Sequence, residues 1–108
     1  MAQDFRRYTA NAVGTSPVTV VTANSNDTLI GISVANVAST QVTATVVIND
    51  GTSDITIVSS APIPVGSSLQ VLDGGAKQVM QSGDALKVTC SETAGLDVWV
   101  SAVDAISA

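Results

Sequence analysis

The chain has 108 residues, 45% hydrophobic but only 3% aromatic, with a formal net charge of −5. That length suits one domain around a single modest core, and the acidic balance excludes the basic footprint by which proteins displace counterions from nucleic acid or hold an anionic membrane surface. No stretch approaches the roughly 20 apolar residues of a spanning helix, and Asp4, Arg6 and Arg7 stand where a secretion signal would turn apolar, so the expected chain is soluble and made in a cytoplasm.

Residues 1–12 contain Phe5-Arg6-Arg7-Tyr8, with two of the chain's aromatic rings and its only basic pair. This segment reads either as a first edge strand or as an arm reaching a neighbouring subunit, ahead of a body at 13–108. Gly14-Thr15-Ser16-Pro17 is a turn, with proline tolerated where a strand begins, and Val18-Thr19-Val20-Val21-Thr22 is that strand. A polar loop follows over 23–27. Its Asn26-Asp27-Thr28 fits the glycosylation acceptor pattern, a chance match where no signal peptide precedes it.

Residues 28–57 organise the rest, as three strands joined by two short turns. In the first, Ile30, Ile32 and Val34 share one face, and the small residues Gly31, Ser33 and Ala35 share the other. That small face either admits a second layer or subunit or faces solvent. From 41 to 49, Val42, Ala44, Val46 and Ile48 alternate with Gln41, Thr43, Thr45 and Asn49, the period of a half-buried strand, with Val47 the exception. Asn49-Asp50-Gly51 supplies residues that tolerate positive φ in a hairpin. After Ile55-Thr56-Ile57-Val58, the two prolines of Ala61-Pro62-Ile63-Pro64-Val65-Gly66 cannot both join a central ladder, which predicts a crossing from one sheet to another. Ser68-Leu69-Gln70-Val71-Leu72 is a strand turned by Asp73-Gly74-Gly75, and 77–80 should pair back against it. The turn Gln81-Ser82-Gly83-Asp84 leads into Leu86-Lys87-Val88-Thr89-Cys90, and 96–103 is the last strand, with Trp99 on the face opposite Val98 and Val100. The total is about eight antiparallel strands, an all-β chain forming a single β-sandwich, jelly-roll-like or Ig-like.

Catalytic chemistry finds little stock. There is no histidine to serve as a base, and no Ser-x-x-Lys occurs. Asp27, Asp50, Asp54, Asp73 and Asp84 fall in turn-rich stretches, where aspartate bonds its own backbone. Cys90, the single cysteine, shares a face with Leu86 and Val88 and reads as a buried, inert thiol. Zinc needs clustered Cys and His, and the oxygen-rich 49–54 stretch matches no calcium-loop spacing. No catalytic residue, metal site or cofactor is predicted. The interface candidates are Phe5, Arg6, Arg7 and Tyr8 as anchors and Trp99 as a contact, because aromatic and arginine side chains dominate contact energetics. A thin core in a small domain favours oligomerisation.

Several stretches together carry a family resemblance. They are Gly14-Thr15-Ser16-Pro17-Val18-Thr19-Val20-Val21-Thr22-Ala23, Ile30-Gly31-Ile32-Ser33-Val34-Ala35-Asn36, and Ala61-Pro62-Ile63-Pro64-Val65-Gly66-Ser67-Ser68-Leu69. Lys77 and Val79, Gly83-Asp84-Ala85-Leu86-Lys87-Val88, Leu96-Asp97-Val98 and Ser101 continue it. In these, from Tyr8 onward, the chain resembles a group of small tailed-bacteriophage virion proteins. It departs from them at the end, where the group often has a Glu-Ile pair and this chain has Asp104-Ala105-Ile106. The resemblance implies a non-enzymatic structural part of a virion, used as capsid cement or decoration or as a neck, tail or fibre-linked component. Its implied partners are copies of itself, a trimer favoured, and the major capsid protein or other virion proteins. From another class stands an adhesion or carbohydrate-binding module, acting through Trp99 where that ring is exposed.

Overall fold

Side-chain alternation decides the architecture. The computed structural model describes residues 4–23, 26–72 and 78–104, and every regular element within them is a strand. The strands are β1 (Asp4–Val13), β2 (Val18–Thr22), β3 (Asp27–Asn36), β4 (Val42–Asn49), β5 (Asp54–Ile63), β6 (Ser68–Leu72), β7 (Gln78–Met80), β8 (Ala85–Cys90) and β9 (Leu96–Asp104). One sheet has the order β1-β9-β3-β6, with β7 also on β3, and the other has β2-β8-β4-β5. All pairings are antiparallel. Strands alternate between the sheets along the chain, except at the β4–β5 hairpin and along the edge shared by β6 and β7. This is a β-sandwich with jelly-roll connectivity.

The core fills the space between two aliphatic faces. Leu29, Ile32 and Val34 of β3 and Val98 and Val100 of β9 face Val42, Ala44 and Val46 of β4 and Leu86 and Val88 of β8, all buried. Among the described residues Tyr8 is the one ring packed against this cluster, and it is partly buried. The alternation from 41 to 49 holds, with Val47 half-buried on the outer face.

Five expectations need correction. The three strands of 28–57 are present, but they are not consecutive neighbours in one sheet: β3 and β4 lie in opposite sheets, and only β4 and β5 form a hairpin. Residues 78–80 do not pair back on β6. Both β6 and β7 run along the same edge of β3, β6 opposite Ile32–Ala35 and β7 opposite Asp27–Leu29; the turn at Asp73-Gly74-Gly75, with Lys77, lies outside the described residues. Ile30 does not share the core face of Ile32 and Val34. The β3–β9 register shifts between Leu29 and Gly31, so Ile30 is the extra residue of a β-bulge and the buried sequence runs Leu29, Ile32, Val34. Asp27 is not in a loop but opens β3, 2% exposed and opposite Met80.

The crossing begins later than the prolines suggest: Ala61, Pro62 and Ile63 belong to β5, paired with β4. Pro62 lies within β5, an edge strand, opposite Thr43, and the buried Ile63 ends that strand. The chain then crosses at 64–67 into β6 of the other sheet.

Residues 4–13 form strand β1, paired along β9 from Asp4 opposite Asp104 to Val13 opposite Leu96. The register slips after Ala10, where Ala12 takes φ of 54° and its N–H donates to the Asp97 carboxylate at 3.0 Å. A left-handed alanine costs about 1–2 kcal/mol that glycine avoids, partly offset by glycine's greater freedom when unfolded. Ala12→Gly should therefore stabilise the fold by about 0.5 kcal/mol, read as a rise in the urea midpoint at unchanged slope.

Candidate interaction face

Alternation along β1 divides the Phe5-Arg6-Arg7-Tyr8 cluster. Tyr8 lies opposite Val100 and Arg6 opposite Ala102, both buried, so these two residues sit on the core side of β1. Arg7 and Phe5 fall on the outer side with Trp99 of β9. Trp99 is 52% exposed and Phe5 82% exposed. Of the predicted anchors and contact, the structure thus joins Phe5, Arg7 and Trp99 on one face and sets Arg6 and Tyr8 apart.

The guanidinium carbon of Arg7 stands 5.5 Å from the Trp99 ring centroid, a cation–π contact that steadies the ring on a two-strand platform. Thr9 lies directly opposite Trp99. Asn11 and Asp97 follow on the side away from Arg7, and Asp97 is fixed by the Ala12 N–H at the bulge. Together these five side chains line an open groove of about 500 Å³. Beyond Trp99 the outer face continues over small residues: Ser33 lies opposite Trp99, Gly31 opposite Ser101 and Ala35 opposite Asp97. Gln70 donates to the Ser33 hydroxyl at 3.2 Å. Thr9, Asn11 and Asp97 escape a reading of composition, yet Asp97 stands two residues before Trp99 on one strand, which places both on the same face.

The turn acids are engaged in structure. Asp50 accepts from the N–H groups of Thr52 at 3.0 Å and Ser53 at 2.9 Å, while Asn49 accepts from Gly51 N–H at 2.9 Å and donates to Asp54 at 2.8 Å. Lys87 reaches the same Asp54 oxygen at 3.7 Å. Asp84 accepts from Gln81 N–H at 2.9 Å. The oxygens of 49–54 thus brace a hairpin. The Ser53 and then the Thr52 N–H hold the Asp50 carboxyl below its ordinary value of 3.8. A depressed folded-state pKa adds stability above the unfolded value and loses it as pH falls through the folded one. Asp50→Asn should therefore flatten the fall in melting temperature on acidification below about pH 4, while its amide oxygen keeps the turn at neutral pH.

Cys90 is buried, and its sulfur accepts from Glu92 N–H at 3.3 Å. Among the described residues no three His, Cys, Asp or Glu side chains gather as metal ligands, and no helix is long and apolar enough to cross a membrane. No protein-family model, curated protein or solved structure matches the chain.

Proposed function

We propose that the chain is a non-enzymatic structural protein of a bacteriophage virion, a capsid cement or decoration protein that binds the shell surface as an oligomer. The sequence resemblance supplies the particle. The observation that carries the mode of action is the outer face of β1 and β9, where Phe5, Arg7 and Trp99 are displayed beside a floor of small residues. Exposed aromatic and arginine side chains on a rigid, small-residue surface are what a partner needs for close approach. The partners in this reading are copies of the same chain, as a trimer, and the major capsid protein or other virion proteins.

Because β1 is a strand that brings Tyr8 against the core, removing residues 1–8 would disturb the fold as well as any contact. Point substitutions separate the two. Phe5→Ser should leave the melting temperature nearly unchanged, Arg7→Ala and Trp99→Ala should lower it modestly while the protein stays folded, and each should strip the protein from purified particles. Retained binding by all three would refute the anchoring role. Copy number then sets the place: hundreds per particle indicate a shell component, and about six to twelve a neck or tail ring of closed cyclic symmetry.

A further inference from the structure

The groove beside Trp99 has a composition that contact with a protein shell does not require. Its floor offers one indole ring, half exposed and backed by Arg7. Its lining residues include Thr9, Asn11 and Asp97, which carry a hydroxyl, an amide and a carboxylate, together with the small apolar Ala10 and Val98. We propose that this groove is a binding subsite for a neutral saccharide. A pyranose has a face of C–H groups that packs on an aromatic ring, and a rim of hydroxyls that pairs with planar side chains able to donate and accept.

Three features favour this ligand. The volume of about 500 Å³ lies within the roughly 300–1,000 Å³ usual for small-ligand sites. The charges at the groove, Arg7 and Asp97, cancel, and the chain as a whole carries −5, which disfavours sialic or uronic acids. The groove is also preorganised: Trp99 stands on a paired strand, and the bond from Ala12 N–H at 3.0 Å holds Asp97 in place. The polar groups are side chains on the outer face of β1 and β9, so recognition comes from side-chain hydrogen bonds, not from adding a peptide strand to the sheet edge.

Trp99 is the chain's single tryptophan, so its emission reports the groove directly. The intact protein is titrated with neutral oligosaccharides of glucose, galactose, mannose and N-acetylglucosamine, with sialyllactose as an anionic control. At least one neutral member should shift the emission saturably, with a dissociation constant of about 1 mM or tighter. By calorimetry with that sugar, Trp99→Ala should abolish binding, and Asp97→Asn, whose amide oxygen still accepts the Ala12 N–H, should weaken it about tenfold. The proposal is overturned by an unresponsive emission across the neutral panel to about 10 mM, by preference for sialyllactose, or by binding that survives Trp99→Ala. A shift of Trp99 emission on mixing with particles alone, with no sugar response, would assign the groove to a protein contact instead. The shell-binding role is read separately from particle occupancy.

Discussion

Asn36→Ala should destabilise the fold by about 3 kcal/mol. Asn36 ends β3 in one sheet and is 5% exposed. Its amide donates at 2.9 Å to the Thr40 carbonyl and at 2.9 Å to the Ile63 carbonyl, and its oxygen accepts from Ala38 N–H at 2.8 Å. Ile63 ends β5 in the opposite sheet, so one side chain fastens the β3–β4 crossing and ties the two sheets together. Alanine leaves a donor and two carbonyls short of a partner, each costing about 1–3 kcal/mol where buried and less where water reaches it. Asn36→Asp is the sharper control. A carboxylate still accepts from Ala38 N–H but cannot donate, and it sets negative charge against the Ile63 carbonyl. Its folded-state pKa should therefore rise. The deficit is then largest at neutral pH and shrinks on acidification toward about pH 4. Urea denaturation at two pH values distinguishes these outcomes; equal losses for both variants at both pH values would show that the bond accepted from Ala38 N–H and the charge at residue 36 contribute little, and a negligible loss for Asn36→Ala would show the same of the donated bonds.

Gly95→Ala should cost about 2–3 kcal/mol, through a steric conflict rather than a lost bond. A Cβ at residue 95 would lie 2.5 Å from the Cys90 sulfur, and that sulfur is itself buried. The backbone has little room to retreat. Gly95 N–H donates to the Val13 carbonyl at 2.9 Å, and the Gly95 carbonyl accepts from Val37 N–H at 3.0 Å. Removing the sulfur should relieve the conflict, so the Cys90→Ala/Gly95→Ala double variant should be more stable than the Gly95→Ala single one. A double-mutant cycle should give a favourable coupling of about 1–2 kcal/mol. Simple additivity would mean that the added methyl group is accommodated elsewhere.

Strand identity is legible in this sequence because period-two alternation is a local property. Val42, Ala44, Val46 and Ile48 announce the buried side of β4, and Leu86, Val88 and Cys90 that of β8. Pro62 and Pro64 announce a sheet edge and a crossing, since the ladder cannot use them. Partner choice is not local. Nothing in the turn chemistry around residues 37–41 tells a hairpin from a passage to the opposite sheet, and that difference separates a meander from a jelly roll. The bulge at Ile30 is hidden for a related reason: it follows from how β3 must fit β9, whereas the pattern Ile30, Ile32, Val34 is itself a faultless alternation. Asp27 illustrates the limit of composition, because a residue that favours turns begins a buried strand here. The candidate face was half visible. Phe5, Arg7 and Trp99 stand out as residue types, but which of Arg6 and Arg7 joins the ring depends on the parity of β1 against β9. Asn11 and Asp97 become neighbours only once those strands are paired.

Cys90, 3% exposed and alone of its kind in the chain, has a practical consequence. In the native protein its sulfur, covered by the turn that carries Glu92 and Gly95, is shielded from a maleimide or a disulfide reagent, so labelling requires an opening event that uncovers it. The rate of modification under native conditions therefore acts as a clock for such openings, slow in the intact molecule and quickened by any substitution that loosens the sandwich. A cysteine introduced on the outer surface, by contrast, would be the single promptly reactive position, ready for a fluorophore or a spin label without first removing the natural one.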